Sequence, residues 1–316
     1  RVPSRIIVQT ESYPKDAFAN WKLVQNHNYI IGDFVWTAVD YLGESGIGRW
    51  YYSGEVPGEH WEHDLFPWHG AYCGDVDLIG WRKPISHYRS MLYNNTEKLY
   101  MAVREPDPAP KEIKNTWWSV WPTWESWTWP KWEGKDLQIE VYSKHPRVRL
   151  YLNNKLIGEK PTTGEQEYKA TFTVPYSAGV LKAVGVENDK EVESTIIRTS
   201  ADAAKIQLTA DRKEIAANGQ DLSYVTIAIT DRDGTFQPNA TNQLNFKIEG
   251  PGTIAGVANA DMKDTDSYVG HTRKAWHGHA LVVIRSAHHA GNIKLTVRSV
   301  GLSGATLNIK SIAEKK

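Results

Sequence analysis

The side chain best placed for chemistry is that of Glu11, in the stretch RIIVQTESYP (5–14). Residues 5–9 are rich in β-branched apolar side chains with no turn former among them, which predicts a buried strand; Thr10, Glu11 and Ser12 then fall at its C-terminal end. In a parallel α/β barrel that end carries the catalytic groups, so Glu11 is either an active-site carboxylate or the polar finish of an ordinary strand. Two histidine groups also invite a chemical reading. HWEHD brings His60, His63 and Asp64 together, and HTRKAWHGH adds His271, His277 and His279, yet neither has the spacing of an established metal motif, and no metal is expected. The run TWWSVWPTWESWTWPKW holds seven tryptophans, too many indole N–H groups to bury in one small sandwich without partners. It reads as packing between domains, with a carbohydrate-binding aromatic strip as the alternative. Cys73, the one cysteine, reads as a small buried filler and excludes an internal disulfide framework.

The elements that must position these groups change character along the 316 residues. Residues 16–26 pattern as a helix, IIGDFVWTAV as a buried strand, and KPISHYRSMLYN as a helix begun by Pro84. Strand, helix, strand, loop, helix is the order of parallel α/β units. REPDPAPKE, rich in proline and charge, reads as a linker. Beyond it LQIEVYS, VRLYLNNKLIG, KATFTV and LKAVGVE alternate as short strands, with a hairpin turn at NNKLIG, and predict a β-sandwich. After a second break at TSADAAK, strands such as SYVTIAITDRDG, LNFKIEG, ALVVIRS and IKLTVRSV predict a second sandwich, in which GQDLS and ANADMKD are turns. No residue repeat links the two. The balance of 37 basic and 37 acidic residues gives no electrostatic reason for a nucleic-acid partner or an anionic membrane, and no apolar run reaches membrane-spanning length.

Read in order, RIIVQTESYP, GDFVWTAVDYLGESGIG and CGDVDLIGWRKPISHY resemble the last two strand–helix units of the catalytic barrel of glycoside hydrolase family 2, the β-galactosidase and β-glucuronidase family. PTWESWTWPKWEGKDLQIEVYSKHPRVRLYLNNKLIGEK is similar to the sandwich that follows that barrel. The tail, with LTADRKEIAANGQDLSYVTIAITDRDG and GPGTIAGVANADMKD, resembles a bacterial immunoglobulin-like domain. The resemblance covers nearly the whole sequence and points towards β-galactosidases of the Bacteroides type. It implies a multidomain chain: the C-terminal end of a (β/α)8 TIM barrel over 1–105, then two all-β immunoglobulin-like sandwiches over 106–201 and 202–316.

What the resemblance implies for function is a retaining mechanism with two carboxylates, one a nucleophile and one an acid/base. Glu11 matches the nucleophile, and Trp36 the tryptophan of the sugar-binding floor, where an indole face suits the C–H face of a pyranose. The alternative for Trp36 is ordinary barrel packing. Asp40 and Glu44, on the loop after the strand, and Tyr13 either accept or donate hydrogen bonds to sugar hydroxyls or brace the loop. Trp68 and Tyr72 read as packing of the loop against the barrel, with walling of the cleft as the alternative. No cofactor is expected; the partners are a β-galactoside oligosaccharide and the upstream N-terminal part of the same enzyme.

That last expectation comes from the departures. The family's acid/base glutamate follows an asparagine, and no Asn-Glu pair occurs in the sequence. A barrel takes about 250 residues, far more than precede the linker. The chain therefore reads as a C-terminal fragment, inactive alone, of a periplasmic or secreted bacterial enzyme. Within the family, β-glucuronidase is the second reading: members place an Asn-x-Lys triplet after the last barrel strand, whereas NNK (153–155) and NDK (188–190) here fall in sandwich hairpins. A different class of reading is a non-catalytic fragment that braces the enzyme or binds carbohydrate.

Overall fold

Strands Ile7–Ser12 and Ile30–Val35 pair in parallel, Ile7 opposite Ile30 and Ser12 opposite Val35, and helix Ala17–Asn26 connects them. This computed structural model describes residues 4–59, 64–94 and 96–313. Helices cover one face of the pair: Asn20 Nδ2 donates to Ser12 Oγ at 3.0 Å, and Tyr93 Oη to Asp33 Oδ1 at 2.8 Å. The expectation of two buried strands is corrected here. Ile6 is 71% exposed and Ile31 and Phe34 are each 65% exposed: the sheet has two strands, and the described residues leave these side chains uncovered. One strand–helix–strand unit does not by itself make a barrel.

Helix Pro84–Asn94 buries Ile85, Tyr88, Arg89, Met91 and Leu92, the i, i+3, i+4, i+7 stripe of an amphipathic helix. That stripe, with Ala17 and Phe18 of the first helix, packs on Tyr100, Ala102 and Tyr142. These residues stand on the outer face of a sheet ordered Lys169–Pro175, Asp136–Ser143, Leu99–Arg104, Thr123–Trp124. Leu99, Met101 and Val103 face the other way, into the sandwich core. Leu99–Arg104 thus lies in the first sandwich, ahead of REPDPAPKE, and that stretch runs within one compact unit that extends to Thr199.

The opposing sheet is ordered Lys155–Pro161, Arg147–Leu152, Val180–Glu187, Lys190–Arg198. Its two hairpins turn on Asn153-Asn154 and Asn188-Asp189, all four with positive φ, the two-residue turn whose twist suits antiparallel strands. Trp127 is fully buried between the sheets with its indole N–H donated to Ser177 O at 3.0 Å.

The second unit, from Ser200, is another sandwich. Lys205–Ala210, Leu222–Thr230, His279–Ser286 and Gly252–Ala258 form one sheet; Glu214–Ala216, Ala305–Ile312, Gly291–Arg298, Gln243–Glu249 and Thr272–Lys274 form the other. Val225, Ile227, Val282, Ile284, Leu295 and Val297 fill the space between. The turns read from the sequence form through side-chain oxygens: Asn218 Oδ1 accepts from Gln220 and Asp221 amides, and Asn259 Oδ1 from Asp261. Among the described residues no helix is long and apolar enough to cross a membrane.

Candidate functional site

Glu11 lies at the C-terminal end of its strand with its side chain exposed, between a backbone held by sheet pairing and a buried Ser12 pinned by Asn20. Among the described residues no hydrogen bond or ion pair holds its carboxylate. Trp36 begins where the neighbouring strand ends, and its amide donates to Ser12 O at 3.0 Å, so the two strand ends remain side by side. Its peptide bond to Thr37 is cis.

From Trp36 a polar relay runs outward. Its indole N–H donates to Tyr41 Oη at 3.2 Å, and that hydroxyl in turn donates to the Glu44 carboxylate. Burial and the Glu44 bond both raise the Tyr41 pKa, so it stays a neutral donor. Trp118 packs edge-on against Trp36, with centroids 6.4 Å apart, and against Tyr13 at 4.1 Å. Glu11, Tyr13, Trp36 and Glu44 are thus linked through strand ends and rings. The sequence did not point to Tyr41 or to Trp118 as members of this group; the signal for the second was the tryptophan run itself.

Asp40 takes a different place. It is buried, and its Oδ1 accepts from Lys83 Nζ at 2.8 Å and from the Gly74 amide at 2.7 Å. Burial pushes its pKa up to about 6 against the pull of Lys83. A Cβ on Gly74 would stand 2.3 Å from the Asp40 amide nitrogen, so only glycine lets the two loops meet. With no side-chain surface in solvent, Asp40 braces the loop rather than facing a sugar. Lys83 also donates to Tyr72 O at 3.0 Å and lies over the Tyr72 ring, while Trp68 is buried with its indole donating to Gly70 O. Cys73 is buried, which pushes its thiol pKa up to about 12 and leaves it inert.

Most of the tryptophan run packs by finding acceptors. Trp121 donates to Glu105 O, Trp124 to Glu105 Oε2 and Trp129 to Ser126 O, at 2.7–3.0 Å. Of the histidine groups, His60 and His63 lie outside the described residues; His279 is buried and stacks on Phe236 at 4.2 Å. Among the described residues no cluster of three or more His, Cys, Asp or Glu could hold a metal. A cleft of about 440 Å³ opens beside Asp33 and Val35, whose side chains alternate with Phe34 to the opposite face. Its charged groups are largely matched, Arg89 to Asp75 at 2.7 Å and Arg82 to Glu97 at 2.9 Å, and it is not the surface that carries Glu11 and Trp36.

An open carboxylate at a strand end, beside the strand end that carries Trp36 and two residues before Tyr13, fits a carbohydrate-active protein. Residues 206–308 match the model of the glycoside hydrolase family 2 C-terminal domain 5, and residues 134–193 match a domain of unknown function. The chain is 30% identical to β-galactosidase BoGH2A of Bacteroides ovatus, over 92% of this chain and 29% of that protein. It is 25% identical to a β-glucuronidase of Formosa agariphila, over 95% of this chain and 29% of that protein. A crystal structure of a glycosyl hydrolase family 2 member from Bacteroides cellulosilyticus superposes with a TM-score of 0.89 at 36% identity, covering 99% of this chain and 40% of that one. These matches set the chain among the family 2 glycoside hydrolases, in their C-terminal part. It spans 21–29% of the length of the curated relatives it matches.

Proposed function

We propose that the chain carries the nucleophile of a retaining β-glycosidase acting on terminal β-galactosides, with 1–98 as the end of its catalytic barrel and the acid/base on an upstream part of the enzyme. The observation that carries this reading is the position of Glu11: an open carboxylate at the end of a parallel strand, beside the strand end that presents Trp36. Glu11 attacks the anomeric carbon and forms a glycosyl ester as the leaving oxygen takes a proton from the acid/base. Water, deprotonated by that same group, then cleaves the ester and restores the carboxylate. The Trp36 face takes the apolar side of the sugar, and Glu44, oriented by Tyr41, accepts from its hydroxyls. The Bacteroides relative named as a β-galactosidase supports galactose.

The Formosa relative keeps β-glucuronidase as a second reading. Against it stands the loop that follows Trp36: residues 36–83 contain no Asn-x-Lys triplet, and Asn153 and Asn188, which begin two of the triplets found elsewhere, occupy positive-φ turns of sandwich hairpins. The test is turnover of matched aryl β-galactosides and β-glucuronides by the complete enzyme and by Glu11→Gln. The galactoside is preferred, and Glu11→Gln reduces its turnover by at least roughly 10³-fold while the fold is kept. Preference for the glucuronide, or near-normal turnover by Glu11→Gln, would overturn the corresponding part of the proposal. The isolated chain hydrolyses neither at a measurable rate.

A further inference from the structure

Of the seven tryptophans in 116–132, Trp117 alone is largely open, 65% exposed. It is nonetheless held in place. The Thr116 amide and hydroxyl both donate to Arg49 O, at 3.1 and 2.8 Å, and the Trp117 amide donates to Glu59 Oε1 at 3.0 Å. Its ring stands 5.9 Å from that of Tyr13, and Tyr13 rests at 4.1 Å on Trp118, which abuts Trp36. Four rings therefore run in a row from the Trp36 floor outward. Tyr13 has extended backbone and follows Glu11 by two residues, about 7 Å along an extended chain. Lys15 Nζ lies over the Trp117 ring, 5.0 Å from its centroid, so a sugar would take the other face or displace this ammonium.

An indole that is fixed by its backbone yet left open in water presents a flat apolar face at little further entropic cost, which is what stacking on a sugar ring requires. We propose that Trp117, with Tyr13, is the platform for a second pyranose ring of the substrate, adjoining the sugar that Glu11 attacks. The inference rests on the functional reading above and extends it: the enzyme prefers oligosaccharides over glycosides of small alcohols. It also gives one tryptophan of the sandwich segment a part in substrate selection.

The test compares a β-linked galactosyl disaccharide with methyl β-galactoside, which lacks the second ring, in the complete enzyme. Trp117→Ala lowers kcat/KM for the disaccharide about tenfold more than for the methyl glycoside, mainly through KM. Trp117→Phe, which keeps a ring, recovers most of the difference. Equal losses on the two substrates, or no loss on either, would overturn the platform. The same pair made with β-glucuronides separates this from the choice of sugar. Activity on the glucuronides alone sinks the galactoside reading, while the disaccharide-to-methyl ratio still reports on Trp117; cleavage of neither class would sink both.

Discussion

Asp40 and Glu44 sit four residues apart in one loop and have different parts because one is buried and the other is not. Asp40 is matched to Lys83 with almost no solvent on either, so Asp40→Ala strands a buried ammonium and costs about 3 kcal/mol or more in the chemical denaturation of the chain. A loss below about 0.5 kcal/mol would show that the pair is no brace. Tyr41→Phe removes the hydroxyl between the Trp36 indole and Glu44; kcat/KM of the complete enzyme on a β-galactoside falls about fivefold, with little change in thermal unfolding. The places of Glu11 and Trp36 at neighbouring strand ends were legible because each follows a run of strand formers. Which of its two readings Asp40 takes was not legible, because the lysine that pairs with it lies 43 positions later and nothing in VDYLGE announces it. Trp117 and Trp118 were hidden by their own abundance, since sequence does not say which of seven indoles finds the core.

Among the elements, hairpins were easiest to read. Asn153-Asn154 sits between alternating apolar runs, and the turn chemistry is local. Leu99–Arg104 was hardest. Both its faces are covered, by helices and by the sandwich core, so it shows no alternation, and its neighbour Asp136–Ser143 comes after a long proline-rich stretch. Trp127→Ala opens a large void in that core and costs about 3–5 kcal/mol, read by the urea midpoint of the first unit. The parallel pair carries the opposite liability. Ile31 and Phe34 are open beside unpaired strand edges, so the isolated chain self-associates, and the double substitution Ile31→Lys, Phe34→Lys reduces light scattering at equal concentration. Scattering unaltered by the substitutions would place the association elsewhere.

At the scale of the whole chain, the second unit has its own core and its own response to pH. Burial pushes the His279 pKa down to about 3, below the ordinary value of about 6.5, so between these pH values the unfolded chain takes up the proton and the folded unit does not. Stability is therefore lost as pH falls through that window, on the order of 1 kcal/mol per pH unit. His279→Gln flattens the slope of its unfolding free energy between about pH 6.5 and 5, where most carboxylates are still ionised; an unaltered slope would mean that other groups set it. The two sandwiches were legible as architecture from their strand spacing, whereas the parallel unit was legible only in order, since burial of its strands depends on neighbours beyond one strand–helix–strand unit. The central claim is that Glu11 is the carboxylate that bonds to the sugar. A 2-deoxy-2-fluoro-β-galactoside with a good leaving group slows breakdown of that bond, and digestion of the inactivated complete enzyme followed by mass spectrometry locates the label. The account predicts one glycosylated peptide, containing RIIVQTESYP and modified at Glu11; a label on any other residue, or inactivation of Glu11→Gln at the wild-type rate, would contradict it.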